Sequence, residues 1–222
     1  MPVITISRQF ASAGQVVWRQ LAHRFGAELR DREIVAAVAE RAGIPESEAE
    51  GYDERLPGLW QRIATALAAG SPDPAIPPLP ADMLPATAVH ERPARLTRTV
   101  IEEAAARGNC VILGRGAAFI IGRRPDAVHV QLHAPLDARV RFLLTRVEEI
   151  PPDTRPDEVS LRDLCRTMDA RRAEYVRRLF GADWLDAAHY DLSIDTSRVD
   201  HGTAADLIET VARRRTGAAG AR

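Results

Sequence analysis

The feature that most constrains this chain is a rhythm in which short apolar runs of strand length are followed by a polar turn and then by helical spacing. Val3 to Ser7 reads as a short buried strand, Arg8 to Gly14 as a loop of polar and small residues, and Val17, Leu21 and Phe25 recur every four residues as one face of a helix. A helix from about Ala94 to Arg107, closed by Gly108, precedes Cys110-Val111-Ile112-Leu113, a continuous apolar run of the kind a central parallel strand has, expected at the sheet's middle. Val128, Val130 and Leu132 alternate as a further strand, and Pro135-Leu136-Asp137 opens a helix with Val140, Leu143, Leu144 and Val147 inward. An arginine-rich helix from about Ser160 to Phe180, a strand from Tyr190 to Asp195 and a closing helix from Asp200 to Arg214 complete the series. Strands alternating with helices predict an α/β domain, a parallel sheet with helices on both faces that binds ligands at the carboxyl ends of its strands.

The remaining segments fill in the organisation. Ile34 to Ala42, Pro45 to Asp53 and Leu59 to Ala69 read as further helices. Gly70 to Pro93, with Pro72, Pro74, Pro77, Pro78, Pro80, Pro85 and Pro93, reads as a loop or mobile connection, and Ile150 to Pro156 as a second proline-marked loop. The chain of 222 residues is expected to form a single domain over 1–216, followed by a flexible tail at 217–222.

Composition excludes several function classes. With 30 basic and 31 acidic side chains the net charge is -1, so no global field draws a polyanion, and Trp18, Trp60 and Trp184 lack the basic and aromatic interleaving of a nucleic-acid binder. The tryptophans are expected as core or interface anchors. No stretch approaches the ~18 apolar residues of a membrane span, and Met1-Pro2-Val3-Ile4 runs straight into a strand without a leader pattern. Cys110 and Cys165 stand far apart, outside any CxxC pair, as reduced structural thiols, and a cytoplasmic location is expected. The six histidines have no metal spacing and are assigned no chemistry. Every one of the 30 basic residues is arginine.

Four constellations carry candidate chemistry. Ser7 to Gly14 is a strand-to-helix turn of small residues, either an ordinary connection or a turn whose backbone N–H groups converge on a phosphate at a helix N-terminus. A full GxxxxGK[ST] signature uses its lysine on the outer phosphates and its hydroxyl on Mg²⁺. Gly14 and Gln15 stand at those two positions here. Gly114-Arg115-Gly116 follows the strand-like run Cys110 to Leu113, so that Arg115 either extends its planar fork toward a phosphate or carboxylate or is a solvated side chain at a helix start. Asp31-Arg32-Glu33 supplies helix caps or ligand contacts. Cys165, Asp169, Arg172 and Val176 share one helix face, where Asp169 either orients Arg172 toward an anion or forms a surface pair with it. Arg139, Arg141 and Arg146 are a similar case, with a solvated face as the default.

In order along the chain, ITISRQF with SAG (Ile4 to Gly14), LRDREI (Leu29 to Ile34), CVILGRGA (Cys110 to Ala117), VHVQLHAPLDARVRF (Val128 to Phe142), DARRAEY (Asp169 to Tyr175) and WLDAAHYDLSIDTSR (Trp184 to Arg198) resemble the cytidylate kinase-like family of P-loop proteins. The resemblance spans nearly the whole chain. It implies a three-layer P-loop NTPase-like fold with an acceptor-binding insertion, here the helical and proline-rich 44–93, and a lid-like helical region at 148–180. The activity it implies is transfer of the γ-phosphate of ATP to a nucleoside monophosphate of CMP or dCMP type, with Mg²⁺. Carried over by position, Arg115 and Arg172 would hold the acceptor's phosphate and act in catalysis, while Asp31 and Asp169 would face its sugar or base. Ser12, Ala13, Gly14, Gln15 and Gly114 would line the nucleotide, and Arg139 would lie on the lid side. No metal-ligating residue is assigned. The family's loop usually reads like GSGGRE, whereas Ala11 and Ala13 replace its glycines here and Gln15 and Val16 its charged pair. If either alanine sits at positive φ, its Cβ reshapes the phosphate cradle. Arg8 or Arg19 could supply the missing charge. An impaired nucleotide-binding or regulatory module of the same fold is the alternative, and oligomeric state and pathway are not encoded in these motifs.

Overall fold

The computed structural model describes residues 2–29, 91–147 and 155–219. The helices expected within 34–69, the proline-rich residues up to 90 and most of the loop at 150–156 lie outside these, as do Asp31 and Trp60.

The expected rhythm produces the expected layers. β1 (Val3–Arg8), β2 (Glu28–Leu29), β3 (Cys110–Leu113), β4 (Ala127–His133) and β5 (Leu192–Asp195) form a parallel sheet in the order β2-β3-β1-β4-β5. Helices α1 (Gly14–Phe25), α2 (Glu91–Arg107), α3 (Ala117–Ile121), α4 (Leu136–Val147), α5 (Glu158–Phe180) and α6 (His201–Ala219) cover it. On one face Ile4, Ile6, Val128, Val130 and Leu132 pack against Val17 and Leu21 of α1 and Ala205 and Ile208 of α6. On the other, Val3 and Ile112 meet Val100, Ile101 and Ala104 of α2 and Ala117 of α3. Each such fully buried aliphatic side chain is worth about 1.5–3 kcal/mol relative to an exposed one, so a two-sided core of this kind fixes the sheet that carries the strand ends. A third cluster, Phe10 with Val140, Leu143, Leu161, Leu164 and Met168, ties α4 and α5 to the loop after β1.

The structure corrects the expectation about the sheet's centre. β1, flanked by β3 and β4, is the middle strand, and β3 lies one place out beside the two-residue β2. Both runs are apolar because both are buried on two faces, and that pattern does not encode their order. β2 escaped the reading because two residues carry no alternation. The strand expected from Tyr190 begins at Leu192, and Arg8, read as the first loop residue, instead ends β1 opposite Leu132. The closing helix runs on to Ala219, beyond Arg214 and into the expected tail. Arg215 explains the extension: its guanidinium donates to Ala127 O (2.6 Å) and pairs with Asp191 (2.5 Å), pinning the last turns to the start of β4.

Trp18 and Trp184 are core residues, and the indole of Trp18 donates to Val111 O (2.9 Å). Both cysteines are buried free thiols, and burial pushes Cys165 up to about 11, so it stays protonated. His129 is satisfied within the core, its Nε2 donating to Gly122 O (2.8 Å) and its Nδ1 accepting from the Thr5 hydroxyl (2.7 Å).

Candidate functional site

The turn after β1 is built so that its N–H groups stay available. The Gln9 N–H continues the ladder onto Leu132 O (2.9 Å), and its side-chain oxygen accepts from the Ala134 N–H (3.1 Å). Ala11 and Ala13 then adopt left-handed conformations, with φ of 60° and 56°. α1 starts at Gly14 with Ala13 as a cap that offers no side-chain acceptor, and its first turn holds no acid. Among the described residues, the N–H groups of Ala11, Ala13, Gly14 and Gln15 have no acceptor. Left-handed backbone costs an alanine about 1–2 kcal/mol, so two such residues in one turn mark a geometry the surroundings impose. Alternating left-handed residues ahead of a helix form a concave N–H cradle suited to an anion. The Ser12 hydroxyl faces inward and donates to Gln9 O (2.9 Å) and Leu132 O (3.2 Å).

A buried ion network from α4 and α5 holds this turn. Asp169 of α5 accepts from the Phe10 N–H (2.8 Å) with one oxygen and from Arg139 Nη1 (2.7 Å) with the other. Arg139 also donates to Phe10 O and Ala134 O, each at 3.0 Å, and is 6% exposed. It is therefore a buried structural cation, where a solvated face was the default expectation. Burial raises the Asp169 carboxyl above its ordinary value, and the Phe10 N–H and Arg139 oppose that rise. Arg172 lies 3.8 Å from Asp169, has its guanidinium carbon 6.0 Å from the Phe10 ring centroid and 5.9 Å from that of Trp184, and donates to Arg8 O. The Asp169 and Arg172 pair predicted by helical spacing thus forms in a largely buried setting, directed at the backbone of the first turn.

The turn after β3 is the second unusual one. Gly114, Arg115 and Gly116 are left-handed in succession, with φ of 73°, 55° and 66°. Gly116 caps α3 without a side-chain acceptor, and a Cβ there would stand 2.5 Å from the Phe180 ring. Phe180 stacks on Phe119, whose ring also meets His189 and Tyr190 edge-on. Arg115 lies near Tyr175, where its charge partly offsets the rise that burial gives the phenol. The end of α5 therefore closes directly over the second turn.

A pocket opens beside the first turn, between Ala11 to Ala13, Arg139 and Phe142 of α4, and Ser197 and His201 beyond β5. Spacing had not singled out Phe142, Ser197 or His201; the rule that ligands lie beyond the carboxyl ends of strands would have pointed to Ser197, two residues past the end of β5. Ser12, Ala13, Gly14 and Gln15 come together with Arg139, Asp169 and Arg172, while Gly114 and Arg115 form the neighbouring turn. Asp31 lies outside the described residues.

These residues suit a phosphate group better than a metal ion. No cluster of three or more His, Cys, Asp or Glu side chains able to hold a metal ion occurs among the described residues. Gln15 stands in place of the metal-binding hydroxyl, Ser12 is turned inward, and Asp169 is bound by Arg139. The described side chains therefore do not compose a Mg²⁺ site of their own. Among the described residues no helix is long and apolar enough to cross a membrane.

One solved structure shares this architecture, and two others align more weakly. An uncharacterized protein from Eubacterium ventriosum ATCC 27560 shares the fold at a TM-score of 0.63 and 20% identity, over 96% of this chain and 99% of that one. Shikimate kinase from Bacteroides thetaiotaomicron aligns at a TM-score of 0.45 and 14% identity, over 96% of this chain and 95% of that one. The shikimate kinase from Acinetobacter baumannii in complex with shikimate aligns at 0.40 and 15%, over 95% and 90%. No curated protein matches the sequence. The sequence profile of the cytidylate kinase-like family matches residues 3–198, which include both left-handed turns, Arg139 and Arg172, and the chain belongs to that family.

Proposed function

We propose that the protein binds a nucleotide through the turn after β1 and transfers the γ-phosphoryl group of ATP to a nucleoside monophosphate of CMP or dCMP type held near the turn after β3. The observation that carries this reading is the pair of uncapped, left-handed strand-end turns lying side by side in a family of kinase-like proteins. Phosphoryl transfer depends chiefly on positioning and charge neutralisation, and these turns with Arg115 and the lid-side arginines offer both. The N–H groups of Ala11, Ala13, Gly14 and Gln15 would hold the donor's phosphates, beside the small pocket at Phe142, Ser197 and His201. Arg115 would meet the acceptor's phosphate, while Arg139, Asp169 and Arg172 keep the first turn in shape. Any Mg²⁺ bound to the nucleotide would add neutralisation of phosphate charge, and no described side chain is assigned to hold it.

A second reading, a nucleotide-binding module of low catalytic power, is favoured by one observation: Gly14 and Gln15 occupy the places of the lysine and the hydroxyl. A coupled assay of ATP with CMP, dCMP, UMP and AMP, run beside calorimetry, separates the two. Turnover with a pyrimidine monophosphate supports the kinase, binding without product supports the module, and absence of nucleotide binding rejects both.

A further inference from the structure

Gly14 stands where a phosphate-loop lysine would be, yet its backbone does not call for glycine. It is the first residue of α1 and is absent from the residues at positive φ. What excludes a side chain there is Arg8: a Cβ on Gly14 would lie 2.8 Å from Arg8 Cγ and 3.0 Å from Arg8 Cβ. The arginine then continues across the strand ends, and a Cβ on Gly114 would lie 2.1 Å from its Nη1. One side chain thus fills the space above the first residue of α1 and ends against the turn after β3. Its root is fixed on both sides, by pairing of Arg8 with Leu132 in the sheet and by the bond from Arg172 to its carbonyl. Arg19, the other arginine considered for this charge, is exposed further along α1.

We propose that Arg8 is the phosphate-binding cation that takes the place of the loop lysine, reaching the transferred phosphoryl group from the end of the central strand instead of from the helix. The proposal rests on the nucleotide-binding reading above. Arg8 and a lysine at position 14 compete for one space, so the two arrangements exclude each other, and a glycine at 14 is the condition for the arginine to lie as it does. A guanidinium between the two turns also touches both sides of an in-line transfer. Its several N–H donors can engage two phosphate oxygens at once, which a lysine ammonium cannot do in a fixed plane.

The test measures binding of pyrophosphate and of ADP to the full chain by calorimetry at low and high salt. Arg8→Gln keeps most of the packed stem and removes the charge. It is expected to weaken both ligands by about 10- to 100-fold and to flatten the salt dependence, the range of a lost charge-assisted hydrogen bond. Arg8→Gly combined with Gly14→Lys moves the cation to the helix and is expected to recover binding to within a few fold of wild type. Circular dichroism establishes that each variant is folded, and Arg8→Lys serves as the charged replacement should Arg8→Gln not fold, with binding expected to fall less than about 10-fold. Wild-type binding that Arg8→Gln leaves within twofold overturns the proposal while the nucleotide site stands. A loss that the double variant does not recover overturns the exchange of roles. Wild-type protein that binds neither ligand rejects the underlying nucleotide reading, and this proposal with it.

Discussion

Among the described residues, two kinds of helix start stand in contrast, one capped by an aspartate and one without a side-chain cap. α5 begins at Asp157, whose carboxylate accepts from the Ser160 N–H (2.8 Å), and the 3₁₀ turn after Asp186 and the start of α6 after Asp200 are closed by their aspartates in the same way. α1 and α3, which follow β1 and β3, begin with left-handed Ala13 and Gly116 and have neither a side-chain cap nor a first-turn acid. A cap satisfies N–H groups that a helix otherwise leaves unpaired and is worth about 1 kcal/mol. Its absence after β1 leaves the N–H groups of Ala13, Gly14 and Gln15 open and the local field positive, as an anion site requires, whereas at α3 the first N–H, that of Ala117, is taken by Gly114 O (3.0 Å). Capped starts hold the chain together, and the uncapped ones are those that the proposed nucleotide site uses.

The contrast can be broken or sharpened by substitution. The largest effect is expected from Asp169→Ala, which strands Arg139 without its carboxylate and frees the Phe10 N–H. Removing one partner of a buried pair costs about 3–5 kcal/mol, measurable by urea denaturation, and nucleotide binding should fall with it. Gly116→Ala places a Cβ in left-handed backbone against the Phe180 ring and should cost about 2–4 kcal/mol. Its melting temperature should drop, whereas alanine at Gly26, which has the same sign of φ and open space around it, should cost only the backbone part. Asp157→Ala should cost about 1 kcal/mol and leave nucleotide affinity unchanged, since it removes a cap of the scaffold kind. Loss of affinity in that variant would erase the distinction between the two kinds of helix start. Ala11→Gly should raise stability by roughly 0.5–1 kcal/mol, because relief of the left-handed strain outweighs the added freedom of the unfolded chain.

The smallest effect is the pH dependence, and here the two kinds of aspartate have opposite signs. The Ser160 hydroxyl and N–H hold Asp157 below the ordinary carboxylate value of 3.8, and Thr203 does the same for Asp200. Their contribution is present above that value and lost as pH falls through the lower folded one. Burial raises Asp169, so its contribution is full below 3.8 and declines as pH rises through its higher folded value. Stability against pH should therefore flatten on the acid side in Asp157→Ala. In Asp169→Asn the wild-type decline above pH 3.8 should disappear. A variant curve parallel to wild type in either case would contradict the assigned environment.

Much of the scaffold was legible in the sequence. The spacing of Val17, Leu21 and Phe25, the run Cys110 to Leu113, and the alternation through Val128, Val130 and Leu132 each report local burial, and local burial follows directly from side-chain period. Gly108 closes a helix where a left-handed residue is needed, a one-residue signal. Strand order was not legible, because β1 and β3 are equally apolar. Nor was the burial of Arg139, whose helix face alone resembles a solvated one; its partners come from Phe10, Ala134 and Asp169, far off in the chain. The pocket residues Phe142, Ser197 and His201 meet only after β4 and β5 are laid side by side.

The sequence by itself determined an α/β chain with a phosphate-type turn that contains no lysine, and it raised the possibility of left-handed alanines at Ala11 and Ala13. These are statements about neighbours along the chain, where residue type and spacing are sufficient. Only the tertiary structure decided that both alanines are left-handed, that Asp169 and Arg139 hold the turn from a distant helix pair, and that Arg8 occupies the space above Gly14. Each depends on contacts between segments remote in sequence, which the period of a strand or helix cannot carry.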